Sequence, residues 1–144
     1  MTQVDFYILA SDSEDARLQL ACRIVDKATQ QDQCVFINSA SEVEAKKLDD
    51  LLWTFSQGSF IPHRIVRDEP KVAPIEPVII GLNQPPVGER WDVLVNLAAD
   101  VPEFFSRYQR VAEVVDGNSV RREQSRERYR FYRDRGYKLN THQV

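Results

Sequence analysis

Glycine is scarce in this chain, and its spacing excludes the common phosphate cradles. The five glycines of the 144 residues are Gly58, Gly81, Gly88, Gly117 and Gly136. No two stand close enough for GxGxxG, and GxxxxGK[ST] is absent. The turn after the first apolar run, Ala10-Ser11-Asp12-Ser13, carries side chains where a phosphate needs bare backbone, and its carboxylate would repel one. Nucleotide chemistry is therefore not expected.

Histidine and cysteine are as sparse. His63 and His142 are the only histidines, and with Cys22 and Cys34 they form no metal-ligand cluster. Neither cysteine belongs to a CxxC pair, and two thiols in helix-like and strand-like segments read as buried groups in a reducing cytoplasm. There is no GxSxG elbow and no Cys–His arrangement. No apolar run approaches the roughly 20 residues that cross a bilayer, and the N-terminus has neither a cationic start nor a long apolar stretch. A cytoplasmic protein without cofactor or metal is expected.

What is present is an α/β pattern. Val4–Leu9, Cys34–Ile37, Val78–Ile80, Asp92–Leu97 and Val111–Val115 are apolar runs that read as strands. Between them lie helical stretches. One carries Leu18, Ala21, Cys22, Val25 and Ala28 on a face and ends near Gln31. The next carries Leu48, Leu51, Leu52 and Phe55 and ends near Gly58. Ser11/Glu14 and Ser41/Glu44 fit capping boxes. A further helix is expected from Asp100-Val101-Pro102-Glu103, with Pro102 at its first turn. The last runs from Ser119 to about Arg135 and stops at Gly136. Six of the seven prolines fall between Phe60 and Pro86, so that stretch reads as loop with short edge strands. Alternating strands and helices imply one domain, residues 1–144, with a mostly parallel sheet between helical layers.

Charge is segregated. Between Arg121 and Lys138 eight cations face three anions, a local charge of +5 within a chain of −3. Arg122, Arg126, Tyr129, Arg130 and Arg133 recur at three- and four-residue steps and share a helix face. Such a row suits an acidic peptide, because guanidinium grips carboxylate through two parallel hydrogen bonds. A solvated helix with ordinary Glu–Arg pairs fits the same pattern. Nucleic acid is disfavoured as a ligand by the acidity of the remaining surface. Phe131 and Tyr132 are expected to anchor this helix to the sheet.

A second segment, Leu52-Trp53-Thr54-Phe55 through Ser59-Phe60-Ile61-Pro62-His63, is rich in large apolar groups. Trp53 lies off the core stripe of its helix, and Phe60 and Ile61 sit in a loop. They are either interface anchors or a satellite core beneath that loop. Asp49-Asp50 and Glu42/Glu44 read as a solvated helix face.

With these segments in view, the sequence resembles the chi subunit of the bacterial DNA polymerase III clamp-loader assembly. The likeness runs in order through Phe6-Tyr7-Ile8-Leu9, Leu52-Trp53-Thr54-Phe55, Ser59 to His63 and Val93 to Leu97. It continues through Arg126 to Arg133 and Gly136-Tyr137-Lys138-Leu139-Asn140-Thr141. Arg67 to Gln84 and His142 to Val144 are less similar. The resemblance implies a Rossmann-like three-layer sandwich without a nucleotide-binding loop, and a non-catalytic subunit with two protein-binding surfaces. The psi subunit, in a one-to-one complex that connects to the clamp loader, maps onto Trp53, Phe60, Ile61 and Pro62. The acidic C-terminal tail of single-stranded DNA-binding protein maps onto Arg122, Arg126, Tyr129 and Arg130. Some members carry lysine at the positions of Arg122 and Arg130, which keeps charge but not hydrogen-bond geometry. The resemblance leaves open a helicase-like repair partner at the Trp53 surface. The rival reading is a small nucleotide-binding or hydrolytic α/β enzyme with His63 as acid or base.

Overall fold

A computed structural model describes residues 1–54, 60–66, 75–86, 88 and 90–144. Among these residues seven strands form one entirely parallel sheet: β1 (Gln3–Ile8), β2 (Val35–Asn38), β3 (His63–Ile65), β4 (Val78–Gly81), β5 (Val93–Asn96), β6 (Arg110–Val115) and β7 (Lys138–Gln143). Their spatial order is β3-β4-β2-β5-β6-β1-β7. The helices are α1 (Glu14–Gln30), α2 (Glu42–Thr54) and α3 (Ser119–Asp134).

The central strands are apolar on both sides, as a sheet covered on both faces requires. Val35 and Ile37 face one core with Val78, Ile80, Val93 and Val95, against Leu18, Ala21 and Val25 of α1 and Leu48 and Leu52 of α2. The intervening Phe36, Ile79 and Leu94 face a second core with Phe6, Phe105, Tyr108 and Tyr132. The result is the Rossmann-like sandwich: α1 and α2 on one face, α3 on the other.

Local signals mostly hold, with shifts. Ser13, not Ser11, caps α1 by accepting from the Ala16 N–H; Ser11 Oγ instead accepts from Ser13 N–H. Ser41 Oγ accepts from the Glu44 N–H at 3.1 Å, but the Glu44 carboxylate returns to Ala40 N–H rather than to Ser41. Asn118 caps α3 through Val120 and Arg121 N–H, and Gly136 closes it with φ +80°. Gly136 N–H donates to Arg133 O and Tyr137 N–H to Tyr132 O, as in a Schellman end.

Four readings need correction. The helix expected from Asp100 is only a single 3-10 turn, Phe105–Arg107, whose N-cap Phe104 supplies no side-chain acceptor. Strand β7 was not foreseen. Its sequence KLNTHQ is polar because it is an edge strand; pairing with β1 along the backbone, from Gln3↔Lys138 to Ile8↔Gln143, holds it in place. Glu44 does not lie on a solvated face: it is buried against Arg17 at 2.8 Å. Cys22 is buried and its thiol is pushed up to about 12 by desolvation, whereas Cys34 is only half-buried. Phe55 and Gly58 lie outside the described residues.

The loop that would cradle phosphate in a nucleotide-binding relative is taken up by backbone. Gly117 N–H donates to Ser11 O at 2.8 Å, and a Cβ on Gly117 would sit 2.6 Å from Ala10 O. The turn after β1 is thus sealed against the turn after β6, and only glycine permits that approach.

Candidate binding surfaces

α3 lies across β6, β1 and β7, and its position is set by one buried carboxylate. Glu113, in the middle of β6, accepts from Arg128 Nε at 2.9 Å, Tyr132 Oη at 2.7 Å and Asn96 Nδ2 at 3.0 Å. Arg128 also donates to Ala99 O at 2.9 Å. Burial, reinforced by the neighbouring Glu113 charge, holds the Tyr132 hydroxyl well above the usual phenol range, so it stays a donor. At the start of the helix Arg121 grips Asp116 with two bonds, 3.0 and 2.6 Å. Arg121 and Arg128 therefore belong to the scaffold, and much of the local positive excess is balanced from within. Sequence reasoning did not separate them from the surface arginines. The signal was present: Glu113 interrupts Val111–Val115 at a core position, and Ser125, Arg128 and Tyr132 share a stripe that an apolar core leaves empty.

The remaining face of α3 borders a groove of about 330 Å³. Phe6 and Ile8 of β1, Val115 of β6 and Thr141 of β7 contribute from the sheet, while Arg122, Ser125, Arg126 and Tyr129 contribute from α3. The Tyr129 ring stands edge-on to Phe6, with centroids 5.2 Å apart. Arg126 reaches Glu123 at 3.1 Å, and both side chains are more than half exposed, so the pair is weak and displaceable. Arg122 is exposed and has no acceptor among the described residues. The groove thus joins an apolar recess to two guanidinium groups. Arg130 does not line it; it pairs with Glu127 at 2.9 Å on the outer surface, one step round the helix. Arg133 likewise points to Asp134 and is exposed.

The second surface lies at the end of α2. Trp53 and Phe60 are 49% and 69% exposed, and their rings meet with centroids 5.4 Å apart. Pro62 beside them is exposed. Ile61 is not part of the exposed patch: at 3% exposure it belongs to the core shared with Leu48 and Leu52. In an extended segment successive side chains alternate sides, so Phe60 and Pro62 face outward while Ile61 and His63 face inward. His63 lies against the Trp53 indole at 4.4 Å. Its Nδ1 is 2.6 Å from Ile61 O and its Nε2 is 3.1 Å from Asp49 Oδ1 and Asp49 O. Both ring nitrogens thus have oxygen partners beneath the tryptophan, within the protein. Phe60, Ile61 and Pro62 also border a depression of about 500 Å³ that continues to Cys34, Pro77 and Arg90.

Among the described residues no group of three metal-ligating side chains converges. Nor, among those residues, is any helix long and apolar enough to cross a membrane.

Comparison with known proteins agrees with the resemblance. Residues 1–140 match the family described as DNA polymerase III chi subunit, HolC. A relative from Pseudomonas aeruginosa, named DNA polymerase III subunit chi, is 40% identical over 144 residues, covering 100% of this chain and 98% of its own. The protein of the same name from Escherichia coli is 30% identical over 145 residues, covering 98% and 97%. That from Haemophilus influenzae is 28% identical over 140 residues, covering 96% and 95%.

Proposed function

The chain belongs to the DNA polymerase III chi subunit family, and from that membership we propose that it is a non-catalytic adaptor of the replicative polymerase. It holds psi through Trp53, Phe60 and Pro62, with Ile61 supporting them from the core. It holds the acidic C-terminal tail of single-stranded DNA-binding protein through Arg122, Arg126 and Tyr129. Acting in the cytoplasm at the replication fork, it would tether the clamp loader to coated single strands and raise its effective concentration there.

The observation that carries the tail reading is the groove itself. Arg122 and Arg126 stand over a recess lined by Phe6, Ile8 and Tyr129. This pairing of cationic rim and apolar recess complements a peptide that ends in acidic residues, an apolar side chain and a carboxylate. Arg130 contributes from outside the groove to the same field, where charge steers approach more than it fixes the bound state. The exposed Trp53 and Phe60, whose rings meet at a tilt of 40°, supply the aromatic anchors that dominate protein interfaces.

The direct test is titration of a fluorescent peptide copying that tail into the protein and into Arg126→Ala. Saturable binding that is lost in the variant supports the reading. Absence of binding to the unsubstituted protein removes the tail role.

A further inference from the structure

On the other side of α3, at the carboxyl ends of β5 and β6, lies a separate cavity of about 140 Å³. Arg17 of α1, Glu44 of α2 and Arg121, Gln124 and Arg128 of α3 line it, together with the Leu97–Ala99 turn. On α3, residues 121, 124 and 128 share a face about 130° away from the tail groove's 122, 126 and 129, so the two sites do not overlap.

Its lining holds a buried donor with nothing to accept it. Arg17 Nη1 donates to Glu44 and Nη2 to Leu97 O, but its Nε is buried without a partner. Arg121 uses Nε and Nη2 on Asp116, and Arg128 uses Nε and Nη1 on Glu113 and Ala99 O. Of the lining atoms, Arg17 Nε is thus the one both buried and without a partner among the described residues. Meanwhile the acceptors are consumed. Glu44 Oε2 takes Arg17, and its Oε1 takes Ser39 Oγ and Ala40 N–H. A buried donor left unmatched costs free energy that an incoming acceptor recovers.

The location adds a second argument. Every crossover in a parallel sheet brings a helix N-terminus to the carboxyl edge of the strands, where ligands of open α/β sheets bind. α2 and α3 both begin beside this cavity, and their positive ends favour an anion.

The geometry points to an oxyanion site: a pocket for one carboxylate- or phosphate-sized group held by Arg17, Arg121, Gln124 and Arg128. The oxyanion is a free phosphate or the acidic side chain of a partner. The site is independent of the adaptor reading and would stand if that reading failed.

The test follows the Arg17 Nε–H resonance by NMR during separate titrations with sodium phosphate, sodium acetate and sodium chloride at matched ionic strength. A saturable shift with phosphate alone identifies the free-phosphate site. A saturable shift with acetate identifies a site for a carboxylate. No shift with either beyond that of chloride overturns the proposal and leaves a water-filled cavity. Gln124→Glu, which adds a carboxylate to the lining and breaks no hydrogen bond among the described residues, should weaken the response at least tenfold while leaving the backbone spectrum and tail-peptide binding unchanged. An unaltered response in that variant would also overturn it.

Discussion

Arg128 Nε lies 2.9 Å from Glu113 Oε1, and both side chains are buried between α3 and the sheet. Arg128 stands between Arg126 and Tyr129 in the same turn of α3, so the groove's geometry depends on the pair. A buried charge without its partner is far more costly than an absent pair. Arg128→Ala is therefore expected to destabilise the protein by about 3 to 5 kcal/mol, measured by denaturant unfolding. Tail-peptide binding should fall with it. If Arg128→Ala unfolded at the same denaturant concentration as the unsubstituted protein, the pair would not be the anchor of α3.

Arg126→Ala should behave oppositely. Its contact with Glu123 is exposed, so unfolding should change little. Peptide binding should lose about 2 kcal/mol or more, because the ligand covers the charge that Arg126 meets. The affinity of the unsubstituted protein should fall as salt rises, since the contact is electrostatic. Unchanged affinity between low and high salt would contradict a guanidinium-based grip. Arg130→Ala should cost less than Arg126→Ala, since Arg130 stands outside the groove.

The contrast between these arginines shows what sequence can and cannot resolve. Three- and four-residue spacing put Arg122, Arg126 and Tyr129 on one face, and the structure places them around one recess. The same spacing also included Arg130 and Arg133, because periodicity fixes an angle round the helix but not the width of the groove beside it. Arg128 and Arg121 were not separated as scaffold by helical spacing because their partners, Glu113 and Asp116, come from β6 and the turn after it, outside α3; the trace they leave is Glu113 at a core position of an apolar strand. Strand β7 escaped for a related reason. Its stability comes from backbone pairing to β1, which places almost no demand on side chains at an edge. The apolar strands and α1 were legible because burial on both faces, or on one helix stripe, does constrain them.

Phe60 and Ile61 should separate binding from folding. Phe60 is mostly exposed, so Phe60→Ala should leave stability nearly unchanged and weaken psi binding by about 2 kcal/mol or more, as loss of an aromatic anchor does. Ile61→Ala removes a buried core side chain and should cost about 2 to 5 kcal/mol of folding free energy. Calorimetric titration with psi and thermal unfolding of each variant would check both. Equal psi affinity for Phe60→Ala and the unsubstituted protein would move the interface elsewhere.

Asp5 gives a pH prediction at the opposite edge of the sheet from β3. Its carboxylate is buried in β1, and burial by itself would raise its pKa. Hydrogen bonding from His142 and the charge and hydrogen bond of Arg110 outweigh that effect, so the group is held below the ordinary carboxylate range. Arg110 Nε lies 2.8 Å and His142 Nε2 3.1 Å from its oxygens. A carboxyl depressed in the folded state binds its proton more readily when unfolded. Its contribution to stability is therefore complete above the unfolded value of about 3.9 and disappears as pH falls through the lower folded value. Asp5→Asn lacks the contribution at every pH. The stability difference between the two proteins should thus be largest near neutrality and should shrink once pH drops below about 4, as read by urea unfolding across that range. A difference that stayed constant to the lowest pH would mean that Asp5 acts through packing rather than through its charge on Arg110 and His142.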